Sequence, residues 1–236
     1  MATISDNLQQ VRERIAQACH RAGRLPQAVT LLAVSKTFGP EAVRQAAEAG
    51  QRAFGENYVQ EGVDKVLALR AAGWADLQWH CIGPLQSNKT RPVAEHFDWV
   101  HTVDRLKIAQ RLSDQRPADR PPLQVCVQVN PDAGANKSGV APDEALALAQ
   151  AVAALPRLQL RGLMAIPEPA PDEAAACAVF SRVRDLFQEL EKVLVPQGVR
   201  WDTLSMGMSA DLEPAIRSGS TLVRVGSAIF GVRHAA

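Results

Sequence analysis

The primary amine of Lys36 is the group in this sequence whose type and position best suit covalent chemistry. It follows an apolar run, residues 31–35, that has the composition of a buried strand. An amine at the end of such a strand can form an imine with an aldehyde, provided that its surroundings keep part of it neutral. The opposing interpretation is a strand-end lysine whose ammonium group extends into water. Lys36 alone does not decide between them.

Further polar residues lie within or just after the predicted strands. They are Glu56 and Asn57 after the second strand, His80 within the third, Gln86 after it, Lys137 in the loop after the fifth and Met164 within the sixth. Each also has an ordinary explanation: Asn57 suits a turn, His80 a hydrogen-bonded strand position and Lys137 a solvated loop. They form a site only if the fold brings these strand ends close together.

Small residues and hydroxyls follow the last two predicted strands, and this combination suits a phosphate group. The run 205–209 leads into a predicted helix near residue 210, while Gly226 and Ser227 directly follow the last strand. Backbone N–H groups approach an anion closely where side chains are small, and a helix N-terminus adds donors. Tight turns alone would also explain these residues. With Lys36 on the opposite side of the same mouth, the pattern predicts a ligand with an aldehyde and a phosphate, as in pyridoxal phosphate.

Short apolar runs alternate with amphipathic segments along the whole sequence. Eight strands are predicted, at residues 30–36, 52–55, 78–83, 99–103, 124–130, 162–166, 203–206 and 222–225. Between them, Pro40 and Pro142 suit the first turns of helices, Gly50 and Pro156 suit helix ends, and residues 172–195 predict one long amphipathic helix. This alternation is typical of βα units around a parallel sheet.

Eight such units in 236 residues predict a single α/β domain over residues 1–236, a (β/α)₈ TIM barrel, since that fold typically needs about 250 residues. Only residues 226–236 follow the last strand, too few for a full covering helix. We therefore expect an extra N-terminal helix, with Leu8, Val11 and Ile15 on its apolar face, to cover the closing edge. An open doubly wound sheet is the alternative, but the regular alternation favours the barrel.

The composition argues against several classes of function. With 47% hydrophobic residues and a formal net charge of +1, the chain lacks the basic excess typical of proteins that bind nucleic acid or membrane surfaces. The four cysteines have no paired spacing, and no apolar stretch has the length of a membrane span or an export signal. We expect a cytoplasmic protein with neither membrane nor nucleic-acid partners.

Six segments resemble the pyridoxal phosphate homeostasis protein family, whose barrel is that of the alanine racemase N-terminal domain. They are LLAVSKT at 31–37, FGENYVQE at 54–61, WHCIGPLQSNK at 79–89, RGLMAI at 161–166, LSMGMSADLEPAI at 204–216 and VRVGSAIFG at 223–231. The resemblance covers essentially the whole chain in collinear order. Cys81 and Ser227 stand where the family often has an aromatic residue and a threonine, and neither difference removes a group that the chemistry needs.

The resemblance implies a pyridoxal phosphate site, residue by residue. Lys36 would be the Schiff-base lysine, with Asn57 beside the cofactor and His80 lining its pocket. Met164 would pack near the ring, and Arg224 would face the pyridine nitrogen. The phosphate would be held by Ser205, Gly207, Ser209, Gly226 and Ser227.

A carrier rather than an enzyme follows from this resemblance. A guanidinium beside the pyridine nitrogen disfavours its protonation, so the ring withdraws electrons weakly. Racemisation also needs a second acid or base opposite Lys36, which the related racemases obtain from an added domain. We therefore expect reversible binding, buffering and delivery of pyridoxal phosphate, through transient contact with apo-enzymes and with Lys137 as a second amine during exchange. The alternatives are a single-domain pyridoxal phosphate-dependent racemase and a Schiff-base aldolase without cofactor. The oligomeric state stays open between a monomer and a weak dimer.

Overall fold

The computed structural model describes residues 2–132 and 138–231, and its strands form a closed parallel barrel. The strands are β1 (Thr30–Val34), β2 (Ala53–Glu56), β3 (Gln78–Cys81), β4 (Trp99–Val103), β5 (Leu123–Val129), β6 (Leu158–Ala165), β7 (Thr203–Met208) and β8 (Leu222–Val225). Each strand pairs with the next, and β8 pairs with β1, with Leu222 opposite Thr30. The predicted eight-stranded barrel is confirmed, and the open sheet is wrong.

Nine α-helices lie in the described part of the chain. They are α1 (Ile4–Arg21), α2 (Pro40–Glu48), α3 (Val59–Ala71), α4 (Thr90–His96), α5 (Leu106–Gln115), α6 (Ala145–Ala153), α7 (Glu173–Leu194), α8 (Leu212–Arg217) and α9 (Ser227–Phe230). Pro40 begins α2 as predicted, whereas Pro142 begins a 3₁₀ turn directly before α6. None of these helices is long and apolar enough to cross a membrane.

The extra N-terminal helix α1 covers the edge where the barrel closes, as expected. Thr3 and Asp6 form a capping box at its start, with each side chain accepting a hydrogen bond from the backbone N–H of the other residue. The helix contacts α2, α8 and α9, and Asn7 Nδ2 donates to Ile229 O at 2.9 Å. It therefore joins the first and last βα units.

Six of the eight strands begin or end at other residues than predicted, and the differences at β1 and β6 bear on the site. β1 ends at Val34, and the chain turns at Lys36 and Thr37, where Thr37 has a left-handed φ of 70°. Lys36 therefore lies in a turn rather than at the last strand position. β6 begins at Leu158 and passes through Gly162, where the register with β5 shifts. A Cβ at Gly162 would lie 1.7 Å from Thr203 O, so a glycine permits this close approach.

Buried side chains fall into two groups, as the alternation of a strand requires. The larger group packs between the outer face of the barrel and the helices. A separate cluster comes from the inward positions of β1, β2 and β8 and the end of β3: Leu32, Val34, Ala53, Ile82 and Leu222. The barrel interior therefore holds an apolar cluster in addition to the interior polar side chains described below.

Candidate functional site

The turn that carries Lys36 lies at the carboxyl end of β1 and is held on both sides. Lys36 is half-buried. The N–H of Thr37 donates to Glu61 Oε1 at 2.6 Å, and the N–H of Phe38 donates to Ser35 O at 3.1 Å. A left-handed φ is unusual for a β-branched residue such as Thr37, so these bonds maintain a backbone that the residue alone would leave.

A buried ionic cluster supports this turn from behind β2. Lys65 Nζ donates to Ser35 O at 2.7 Å, to Glu56 Oε1 at 2.8 Å and to Glu61 Oε1 at 2.6 Å. Ser35 Oγ donates to the same Glu56 oxygen at 2.5 Å. We call Ser35, Glu56, Glu61 and Lys65 the Lys65 cluster. Glu56 thus faces α3, although the sequence suggested the mouth for it.

Burial dominates the electrostatics of the Lys65 cluster. It raises the pKa of Glu56, and the charge and hydrogen bonds of Lys65 offset the rise only in part. Glu56 Oε2 is buried and has no hydrogen-bond partner among the described residues. Sequence reasoning missed Lys65 entirely. The available signal was its spacing of four residues from Glu61 together with its place on the apolar face of α3.

Asn57 and Gly83 bring the ends of β2 and β3 together at the carboxyl mouth. A Cβ at Gly83 would lie 2.1 Å from Asn57 O, so the close packing of these two segments depends on the glycine. Asn57 Oδ1 is buried and has no partner in the part of the chain that the structure describes. Gln86, by contrast, is exposed. Asn57 therefore offers a free acceptor beside the mouth, as a ligand-contacting residue would.

A continuous chain of polar side chains crosses the barrel interior. Arg224 NH1 donates to Ser205 Oγ at 2.8 Å and to Ser205 O at 2.9 Å, while Arg224 NH2 donates to Ala165 O at 3.0 Å. Ser205 Oγ lies 2.9 Å from His101 Nδ1, and His101 Nε2 lies 2.9 Å from His80 Nδ1. We call Arg224, Ser205, His101 and His80 the interior chain. Sequence reasoning missed His101, because inward orientation on β4 was its only signal.

Arg224 donates to Ser205, because a guanidinium only donates. The tautomer assignment that also uses the Ser205 proton has this hydroxyl donate to His101 Nδ1. His101 then donates from Nε2 to His80 Nδ1. This assignment satisfies every link and leaves His80 Nε2 as an N–H donor, with no partner within residues 2–132 and 138–231.

Burial also sets the charges in the interior chain. It lowers the pKa of His80 to about 3 and lowers that of His101 well below its usual range, so both rings are neutral near pH 7. His80 and Arg224 lower the His101 value further. Burial lowers the pKa of Arg224 to about 10, which leaves the guanidinium protonated. The chain therefore holds one positive charge at the Arg224 end.

The structure does not bring His80 to the carboxyl mouth with Lys36. Its ring stacks on Trp99, with centroids 5.2 Å apart, and lines a cavity of about 260 Å³ with Thr30 and Thr203 at the amino ends of the strands. Met164 is fully buried on β6 and lies opposite Ser205 in the register with β7. The hydroxyl of Ser205 is likewise engaged inside the barrel, by Arg224 and His101.

The remaining predicted phosphate residues lie where β7 and β8 end. Gly207 has a φ of 95°, and a Cβ there would lie 2.5 Å from Ala215 Cβ, so this glycine lets β7 pack against α8. Ser209 follows β7, and its carbonyl accepts from Arg14 NH2 at 3.2 Å. These contacts fix the turn after β7. Lys137, predicted to take part in exchange, lies outside the described residues.

The turn after β8 lies against β1. A Cβ at Gly226 would lie 3.1 Å from Val34 O. In α9, the first N–H group that donates to a carbonyl of the helix is that of Ile229, which donates to Gly226 O at 2.9 Å. The N–H groups of Ser227 and Ala228 lie before it, in the part of a helix whose N–H groups have no partner within the helix. We call Gly226 and Ser227 the phosphate turn, after its predicted role. We expected the residues after β7 and β8 on the opposite side of the mouth from Lys36, and for the phosphate turn this was wrong. Closure of the barrel between β8 and β1 makes them neighbours.

Comparison with known proteins connects this geometry to a family. A family model described as alanine racemase, N-terminal domain, matches residues 6–234. Proteins named pyridoxal phosphate homeostasis protein are 58% identical in Pseudomonas aeruginosa, covering 99% of this chain and 97% of that protein, and 55% identical in Escherichia coli, covering 99% and 98%. The solved structure of PipY from Synechococcus elongatus with PLP bound has a TM-score of 0.83 at 38% identity and covers 97% of this chain and 100% of that chain. The chain therefore belongs to the pyridoxal phosphate homeostasis protein family, within the larger family of the alanine racemase N-terminal domain.

Proposed function

We propose that this chain binds pyridoxal phosphate reversibly and serves the homeostasis of that cofactor, without turnover of amino acids. The observation that carries the proposal is the contact between the end of β1, which leads to Lys36, and the turn at Gly226. The aldehyde and phosphate arms of pyridoxal phosphate leave neighbouring positions of its ring. A lysine and a phosphate turn on neighbouring strands match that arrangement.

The residues present fit the cofactor in three respects. Asn57 Oδ1 is a buried acceptor without a partner among the described residues. Gly226 carries no side chain that could shield the N–H groups of Ser227 and Ala228 from an anion. Arg224 holds a buried positive charge. These groups would hold the polar edge of the ring, the phosphate and the pyridine nitrogen, respectively.

Lys36 would provide the covalent attachment. Pyridoxal phosphate, when bound, supplies an aldehyde and an electron-withdrawing ring. The Lys36 nitrogen would join the aldehyde carbon in a C=N bond with release of one water molecule, and hydrolysis would reverse the bond. The phosphate turn would keep the ligand bound even without that bond. Covalent attachment would thus depend on Lys36, and non-covalent binding on the phosphate turn.

Arg224 would limit what the bound cofactor can do. Its guanidinium is anchored by Ser205 and by the carbonyl of Ala165, and it remains charged near pH 7. A fixed cation beside the pyridine nitrogen disfavours protonation of that nitrogen, and an unprotonated ring stabilises a carbanion poorly. This favours a carrier over a racemase.

One experiment separates the carrier from its alternatives. The purified protein loaded with pyridoxal phosphate is reduced with borohydride, and the modified peptide is mapped. A second sample is incubated with L-alanine in deuterated water, and Cα exchange and D-alanine are followed. We expect modification at Lys36 and no sustained turnover. Sustained racemisation would support the racemase, and absence of the visible absorption of bound cofactor would favour the aldolase.

A further inference from the structure

We infer that Lys65 and Glu61, together with Glu56, act as positioning residues for Lys36. This inference rests on the proposed role of Lys36 as the attachment point. None of the three residues needs to touch the ligand. Their effect would pass through the backbone on either side of Lys36.

The peptide groups on both sides of Lys36 are held by one ion pair. Lys65 Nζ donates to the carbonyl of Ser35, which belongs to the peptide group before Lys36. Glu61 Oε1 accepts from the N–H of Thr37, which belongs to the peptide group after it. Lys65 and Glu61 also contact each other at 2.6 Å. The Cα of Lys36 is therefore fixed between two peptide groups that share one anchor.

Glu56 completes the anchor from β2. Its Oε1 accepts from Lys65 at 2.8 Å and from the Ser35 hydroxyl at 2.5 Å. The Lys65 side chain is 3% exposed and that of Glu56 is fully buried, so water does not compete for these bonds. With three acceptors, every N–H of Lys65 is engaged, and its ammonium group has little freedom to move.

The Lys65 cluster holds Thr37 in an unfavourable backbone conformation. A threonine with a φ of 70° is strained, and the bond to Glu61 opposes its relaxation. Relaxation would rotate the peptide group that follows Lys36 and move the amine relative to the phosphate turn. Displacement of a reacting group by about 1 Å can lower a rate by about 10²-fold. The Lys65 cluster thus acts on attachment through position.

The experiment compares Glu61→Ala with Glu61→Gln and with Glu41→Ala. Glu61 and Glu41 both lie in the first turn of a helix and pair with a basic side chain, but Glu41 is on the exposed face of α2. The rate of covalent attachment is followed by absorbance after pyridoxal phosphate is added to the apo-protein. Thermal unfolding is measured for every variant.

We expect Glu61→Ala to slow attachment about tenfold and Glu61→Gln to restore most of the rate, because the amide oxygen still accepts from Thr37. Glu41→Ala should match the wild type. A second readout uses the Lys36→Ala background, where Glu61→Ala should leave non-covalent affinity for pyridoxal phosphate unchanged, since no amine remains to be positioned. A merely structural role would lower that affinity as well.

Two failures are distinguishable. If borohydride traps no adduct at Lys36 in the wild type, the proposed function fails and this inference fails with it. If the wild type is trapped normally but folded Glu61→Ala and Lys65→Met both attach the cofactor at the wild-type rate, only the positioning role is overturned.

Discussion

Inside the barrel, the interior chain links Arg224 to two histidines and holds a single charge, whereas behind β2 the Lys65 cluster places one lysine between two carboxyl groups. Both networks are buried, but the cost of burying a charge is avoided in different ways. The histidines become neutral, as the lowered pKa values of His80 and His101 indicate, whereas Lys65 lies within hydrogen-bond distance of two carboxyl groups. In the proposed site, the interior chain would set the charge near the ligand, and the Lys65 cluster would hold the backbone on either side of Lys36.

This difference predicts different costs of disruption. Removing one partner of a buried ion pair leaves an uncompensated charge and typically costs about 3–5 kcal/mol. Removing a neutral member of a hydrogen-bonded chain leaves an unsatisfied polar group, at about 1–3 kcal/mol. Substitutions in the Lys65 cluster should therefore lower the free energy of unfolding more than substitutions in the interior chain.

Lys36→Ala removes the proposed attachment point, and we expect the largest effect on ligand binding from it. The adduct trapped by borohydride should be lost, while pyridoxal phosphate still binds non-covalently through the phosphate turn. Because Lys36 is half-buried in a turn, the free energy of unfolding should change by less than about 1 kcal/mol. An undiminished reducible adduct in this variant would place the attachment at another amine.

Lys65→Ala should cause the largest loss of stability, about 3–5 kcal/mol in urea unfolding near pH 7, because Glu56 would stay buried without its cation. The matched control is Arg44→Ala, which breaks ion pairs with Glu41 and Glu48 on the exposed surface of α2. That control should cost less than about 1 kcal/mol. Equal losses of unfolding free energy in Lys65→Ala and Arg44→Ala would contradict the larger contribution expected from the buried ion pairs.

Acid should affect the two networks in opposite directions. The pKa of His80 is lowered from 6.5 to about 3 in the fold, so its contribution to stability is present above pH 6.5 and is lost as pH falls toward 3. The pKa of Glu56 is raised above 4.5, so its contribution is present below that value and is lost as pH rises through the folded value.

Urea unfolding of the wild type, His80→Gln and Glu56→Gln from about pH 4 to about pH 8 checks this contrast. Between the two pKa values of His80, its slope approaches about 1.4 kcal/mol per pH unit. His80→Gln should be less sensitive to acid than the wild type. Glu56→Gln should gain stability relative to the wild type as pH rises. Parallel curves for the three proteins would contradict both assignments.

Ser205→Ala should have the smallest effect on phosphate binding, and it bears on the predicted phosphate residues. Its hydroxyl is engaged by Arg224 and His101, so the variant should lose about 1–3 kcal/mol of stability yet keep the wild-type affinity for inorganic phosphate. Ser227→Ala, at the turn after β8, should lower that affinity with little loss of stability. The reverse outcome would return Ser205 to the phosphate site and remove Ser227 from it.

Local pattern predicted much of this architecture. The eight apolar runs correspond to the eight strands, because a strand buried on both faces needs a continuous apolar sequence. The long helix predicted at 172–195 is α7, Glu173–Leu194, since its apolar residues recur at helical spacing. The end of β1 was predicted less well, because the left-handed conformation of Thr37 depends on Glu61, which is distant in sequence.

The sequence by itself determined the barrel, the covering helix α1, the family and some of the residues at the carboxyl mouth, among them Lys36, Asn57 and Gly226. These features depend on local periodicity and on segments whose residues are contiguous. Only the tertiary structure decided that Lys36 and the phosphate turn are neighbours, that Ser205 faces Arg224 and His101, and that Lys65 lies buried between two carboxyl groups. Those contacts join residues from different βα units. Their partners are chosen by barrel closure and by the requirement that each buried polar group find a hydrogen bond, and neither is visible in any one segment.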